Sequence, residues 1–140
     1  MNKRTGYQLV LVDTTPLYAM IDRSDPNHSG AIEVFQRLGM QSLVNIYTPA
    51  SVALEFHRLR LYRKPFQPNI ALRELTTILQ QFPVLFPETQ DFTNALELLS
   101  RFPDQKITFA DALTASMAFR LKARVFTFDK HFSIMGSDLV

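Results

Sequence analysis

Two apolar runs in this chain stop on an aspartate, and that pattern constrains the fold more than any other feature of the sequence. The first is Gln8-Leu9-Val10-Leu11-Val12, closed by Asp13 and followed by Thr14, Thr15 and Pro16. The second is the β-branched and aromatic run over residues 124–128, closed by Asp129. A short, continuously apolar run is what a strand buried on both faces looks like, and a turn with Thr and Pro after it feeds a helix. Strands of that kind belong to parallel sheets covered by helices on both sides.

The rest of the chain alternates accordingly. Residues 17–21 predict a short helix, 24–27 a turn, and 28–38 an amphipathic helix ended by Gly39. Residues 43–47 predict a second strand. Thr48 and Pro49 then read as a helix start, with the hydroxyl free to cap and the proline at the first helical position, and that helix is expected to run to about Lys64. Further helices are expected over 69–81, 89–102 and 108–121, with a short strand over 84–86. The expected architecture is α/β, a three-layer α/β/α sandwich with a mostly parallel central sheet. At 140 residues the chain fits one domain over residues 1–140, able to bury about two-thirds of its unfolded surface.

Composition narrows the chemistry. There is no cysteine, so disulfides and thiolate metal sites are excluded and a reducing cytoplasm is the natural setting. Lys3 and Arg4 precede an apolar stretch that meets Asp13 too soon for a signal segment or a membrane span. The net charge is +2 and the isoelectric point about 9.1, so the overall field does not by itself select a polyanionic partner.

In open α/β sheets, ligands bind beyond the carboxyl ends of the strands. Asp13 and Asp129 close predicted strands, and Asp111 lies in the first turn of a predicted helix. Glu55 stands in the row Val52, Glu55, Phe56, Leu59, a carboxylate inside an apolar stripe. Clustered carboxylates repel and raise one another's pKa unless a divalent cation neutralises them. All-oxygen ligation suits Mg²⁺ or Mn²⁺, while three scattered histidines and no cysteine argue against zinc. Each acid also has a structural reading. Thr108 and Asp111 match a capping box, Asp129 an Asx-turn, and Glu55 could pair with Arg58.

The segments Val10-Leu11-Val12-Asp13-Thr14, residues 49–55, residues 108–115 and Thr127-Phe128-Asp129-Lys130-His131-Phe132 together resemble the PIN-domain family, and within it the VapC-type toxin ribonucleases of prokaryotic toxin–antitoxin pairs. The resemblance spans nearly the whole chain. It implies that Asp13, Glu55, Asp111 and Asp129 form the catalytic acidic quartet holding Mg²⁺ or Mn²⁺, with Thr14 and Thr108 as polar support. It also implies hydrolysis of RNA to 5′-phosphate and 3′-hydroxyl ends by in-line attack of a metal-activated water, a cognate antitoxin, and pairing as a homodimer. This chain departs from the family at two places: many relatives carry a second acid where His131 stands, and a small residue pair where Thr14, Thr15 and Pro16 stand.

The basic run His57, Arg58, Arg60, Arg63 and Lys64 follows Glu55 directly, and would bring phosphate-binding charge near the metal, with Tyr62 stacking on a base. Its alternative is a solvated helix face. The small side chains of the helix over 108–121, and Phe102, Phe109, Phe119, Phe126 and Phe128, read as core. Two other functions fit the same residues: a catalytically silent PIN-like module that binds RNA or a protein, and a haloacid-dehalogenase-type phosphotransferase with Asp13 as nucleophile. The second would want another acid two residues on, where Thr15 stands.

Overall fold

The computed structural model describes residues 7–140; Lys3 and Arg4 lie outside them. Strand β1 (Gln8–Val12) is central, hydrogen-bonded in parallel to β2 (Val44–Pro49) on one side and to β4 (Arg124–Phe126) on the other. A two-residue strand β3 (Val84–Leu85) extends the sheet beyond β2, giving the order β3-β2-β1-β4 with every pairing parallel.

Residues alternate across this sheet as strand geometry requires. Leu11 and its partner Val125 face one core, with α5 (Thr89–Ser100), α6 (Phe109–Leu121) and α7 (His131–Ile134). Val10, Val12 and Phe126 face the other, with α1 (Thr14–Ile21), α2 (His28–Gly39), α3 (Ala50–Leu61) and α4 (Pro68–Gln81). Val10, Leu11 and Val12 are wholly inaccessible. The three-layer α/β/α arrangement expected from the sequence is therefore present. The small residues of α6 bury as expected, with Ala112, Ala115 and Ala118 in the core.

Several boundaries differ from expectation. Helix α1 begins at Thr14, directly after Asp13, because Pro16 falls within the first turn, where no intrahelical N–H bond is forfeited. Thr48 and Pro49 finish β2 instead of opening the helix. The Thr48 hydroxyl donates to the Phe82 carbonyl at 2.9 Å and its N–H to Pro83 O at 2.9 Å, so tertiary bonds outweigh the local cap. Strand β4 stops at Phe126, since the chain then turns so that the Phe128 N–H donates to the Thr15 hydroxyl at 3.0 Å. Of the aromatics assigned to the core, Phe126 is buried, whereas Phe109, Phe119 and Phe128 are exposed. Helical and turn geometry carries those three rings to the outside of their elements.

One charged contact bolts α5 to α6. The Asp91 carboxylate, fully inaccessible, accepts Arg120 Nε at 2.9 Å and Nη2 at 2.8 Å, and also caps its own helix by accepting the Glu88 N–H at 2.7 Å. These donors hold the Asp91 pKa below its ordinary value despite burial, which pushes it up. Arg120→Ala leaves that carboxylate without its charged partner and is expected to lower the unfolding free energy by about 3 kcal/mol in urea titration. A loss below about 1 kcal/mol, the worth of an exposed pair, would mean that apolar packing alone joins the two helices.

Candidate active site

The four acids come from four segments and face one rim. Asp13 ends β1; Asp129 lies just past β4; Glu55 sits in the second turn of α3, after β2; Asp111 is in the first turn of α6. Each is fastened locally. The Thr127 hydroxyl donates to Asp13 Oδ2 at 2.8 Å and accepts the Asp129 N–H at 2.9 Å, tying the end of β1 to the turn after β4. Asp129 Oδ1 accepts the His131 N–H at 2.9 Å, which is an Asx-turn, and the imidazole Nδ1 lies 3.0 Å from the same oxygen. Asp111 accepts the Thr108 N–H at 3.3 Å, while its own N–H donates to the Thr108 hydroxyl at 3.1 Å, completing a capping box. The structural readings of Asp111 and Asp129 thus hold alongside their place at the rim. Glu55 pairs with no lysine or arginine among the described residues, Arg58 included.

Burial dominates the electrostatics of the acids, and their mutual charge adds to it. Burial pushes Asp13 up to about 7; the Thr127 hydroxyl and the Thr14 N–H relieve part of that rise, and the charges of Asp111 and Glu55 add to it. Glu55 is raised by burial first and then by Asp111, with Asp129 contributing. Asp111 is raised by burial, held back by its bonds to Thr108, pushed further by Asp129 and relieved by His131. The Thr14 hydroxyl, itself buried, lies toward Glu55 and eases its charge, yet completes no hydrogen bond. A ring nitrogen of His131 and one carboxylate oxygen from each of Asp111 and Asp129 lie within 4.8 Å of one another.

His131 and Thr127 were not among the site residues expected from the sequence. The signal for both was the spacing around Asp129: a hydroxyl two residues before an aspartate can accept its backbone N–H, and the residue two after it can fold back on its carboxylate.

Two grooves meet at Glu55. One, of about 960 Å³, runs along α3 past Arg58, Leu59 and Tyr62 toward Thr108; the other, of about 400 Å³, passes Thr14, Thr15 and Phe128. The basic run divides between groove and scaffold. Arg60 is largely buried, bonded to Glu74 at 2.9 Å and stacked 5.0 Å from the centre of the Tyr18 ring, with Asp22 3.8 Å away. Arg63, exposed, pairs with Asp22 at 2.8 Å. Arg58 is exposed in the larger groove, and Lys64 is exposed beyond the end of α3.

The arrangement is a parallel α/β domain with a carboxylate cluster at the carboxyl rim of its sheet. The chain belongs to the PIN-domain family, whose model matches residues 10–137. Among solved structures it is similar to VapC20 of Mycobacterium tuberculosis, described as a toxin cleaving the sarcin-ricin loop (TM-score 0.79, 20% identity, covering 94% of this chain and 98% of that one). It is also similar to VapBC-1 of nontypeable Haemophilus influenzae (TM-score 0.74, 14% identity, 94% and 95% covered). A third is FitAcB of Neisseria gonorrhoeae (TM-score 0.72, 18% identity, 93% and 95% covered). At such identities the likeness is one of fold. A comparison with curated protein sequences yields no match. The PIN assignment displaces the haloacid-dehalogenase reading of Asp13.

The raised pKa of Asp13 has a thermodynamic signature. Its carboxyl binds a proton more readily in the folded chain than in the unfolded one, so its contribution to stability is full below 3.8 and lost as pH rises through about 7. Glu55 and Asp111 shift in the same direction. A tenfold change in proton affinity is about 1.4 kcal/mol. With a chelator present, Asp13→Asn is therefore expected to gain a few kcal/mol of stability over the wild type between pH 4 and pH 8. Denaturation curves that stay parallel across that range would contradict the buried placement of Asp13.

Proposed function

We propose that this chain is a metal-dependent endoribonuclease that hydrolyses RNA phosphodiester bonds, and the toxin of a type II toxin–antitoxin pair. The observation that carries the reading is the gathering of Asp13, Glu55, Asp111 and Asp129 from four segments onto one rim of a PIN fold. The toxin role is supported by the named pairs among its structural relatives, VapBC and FitAB. A cognate antitoxin would bind near the acidic rim, and the working unit would be a homodimer of one-domain chains, residues 1–140, in the cytoplasm. No described helix is long and apolar enough to cross a membrane.

The residues fit a divalent cation. Asp111, Asp129 and His131 offer ligand atoms within 4.8 Å of one another, Asp13 and Glu55 stand near enough to feel neighbouring carboxylate charge, no lysine or arginine is bonded to any of the four acids among the described residues, and the buried Thr14 hydroxyl is without a partner. Asp13, Glu55, Asp111 and Asp129 would hold Mg²⁺ or Mn²⁺. When bound, such an ion supplies positive charge at the scissile phosphate and makes water a better nucleophile near neutral pH. Thr127 keeps the Asp13 carboxylate aimed at the rim, and Thr108 does the same for Asp111. Arg58 is the cation best placed to meet a phosphate in the larger groove, with Tyr62 offering a face to a base. Lys64 and Arg63 would extend that contact. Arg60, already committed to Glu74, would act by holding α3 to α4.

Asp13→Asn or Asp111→Asn removes a charge that helps hold an ion worth several kcal/mol at the transition state, so cleavage of an RNA panel should fall about a thousandfold or more. The folded content, read by circular dichroism, should persist. Wild-type products should carry 5′-phosphate and 3′-hydroxyl ends; a 2′,3′-cyclic phosphate would point to attack by the RNA's own hydroxyl and defeat the reading.

RNA binding supplies a separate check, made with the Asp13→Asn protein so that no cutting intervenes. Arg58→Gln should reduce the slope of log affinity against log salt by about 0.7, the value for one phosphate contact on a single strand. Arg60→Gln should leave the slope unchanged and lower the melting temperature instead. Equal slopes for Arg58→Gln and the parent protein would remove Arg58 from the RNA path.

A further inference from the structure

Four carboxylates stand at the rim, and the single nitrogen-bearing side chain bonded to any of them among the described residues is His131. Its backbone is rigidly placed: its N–H is tied to Asp129 Oδ1 at 2.9 Å, and the next residue, Phe132, is wholly buried in the core beneath α7. The ring is only partly exposed and sets its Nδ1 3.0 Å from Asp129 Oδ1.

A hard divalent ion sits about 2.1 Å from each oxygen ligand, so ligand atoms across from one another are about 4.2 Å apart and neighbouring ones about 3 Å. One ring nitrogen of His131 and one oxygen each of Asp111 and Asp129 already lie within 4.8 Å of one another. They can therefore close on a single ion with side-chain adjustments below an ångström. A second observation is the Thr14 hydroxyl, buried beside Glu55 and without a hydrogen-bond partner.

We propose that His131 is a direct ligand of the divalent ion, making the site a mixed oxygen–nitrogen one that favours Mn²⁺ over Mg²⁺ more strongly than carboxylates alone would. This rests on the nuclease reading, since that reading places an ion at the rim. The physical reason is ligand hardness: Mg²⁺ holds to oxygen and water, whereas imidazole suits transition ions.

The test is made on the whole chain loaded with Mn²⁺, by pulsed electron paramagnetic resonance. Nitrogen-14 modulation is expected in the wild type and in His57→Gln, and it should vanish in His131→Gln. Because that variant also loses the contact with Asp129, His131→Asp is measured beside it. Restoring an acid should improve Mg²⁺ binding relative to Mn²⁺ by roughly tenfold or more, since even an outer partner of a ligand usually matters by that much. Mn²⁺ bound without nitrogen modulation, modulation that survives His131→Gln, or an unchanged Mg²⁺-to-Mn²⁺ ratio in His131→Asp would overturn the assignment and leave the nuclease reading standing. Failure of Mn²⁺ to bind at all would overturn both.

Discussion

Parallel pairing of β1 on both of its edges is the constraint from which the site follows. A strand bonded to β2 and β4 and covered by helices on both faces can present functional groups only at its ends, and its carboxyl end delivers Asp13. The neighbours run the same way, so Glu55 and Asp129 arrive at the same rim from the segments that follow β2 and β4. Burying a carboxylate there beside other acids is unfavourable, as the rise of Asp13 to about 7, driven first by burial and then by the charges of Asp111 and Glu55, shows. The opposing term is of comparable size for each residue and recurs throughout the core. Val10, Leu11 and Val12 are wholly inaccessible, and burying such a side chain stabilises by about 1.5–3 kcal/mol. The sheet can carry the strain of its own rim.

The fold was legible where local chemistry and tertiary packing agree. The run 8–12 is apolar at every position facing either core, and Thr108-Phe109-Ala110-Asp111 is a capping box in sequence and in space. The start of α3 differs from the sequence pattern because Thr48 and Pro49 look like a helix start while the bonds of Thr48 reach Phe82 and Pro83, more than thirty residues away. Distance in sequence also hid the division of the basic run. Nothing near Arg60 announces Asp22 or Glu74, yet those acids remove it from the pool of free charge, while Arg58, one turn from Glu55, stays in the groove. The positions of Asp13, Glu55, Asp111 and Asp129 were readable from the strand ends and the helix that follows. The part played by His131 depends on a two-residue turn whose ring direction no periodicity reports.

Function and scaffold share atoms here more than they divide them. Arg60 ties α3 to α4 and, through the Tyr18 ring, leans on α1, so the helix that carries Glu55 is braced from two directions. Thr127 likewise serves both ends of its segment, bonding Asp13 just past β1 and receiving the N–H of Asp129. The rim is therefore set by a short chain of bonds joining elements from opposite ends of the sequence.

The capping box at Asp111 and the Asx-turn at Asp129 also limit how such a domain can drift. A lineage that no longer needed to cut would be free to lose negative charge at these positions, but not the fastening they provide to α6 and to the turn before α7. Selection for folding alone would steer both sites toward asparagine or serine, which keep an acceptor for the backbone. A retired descendant would then preserve the outline of its ancestral pocket in neutral side chains.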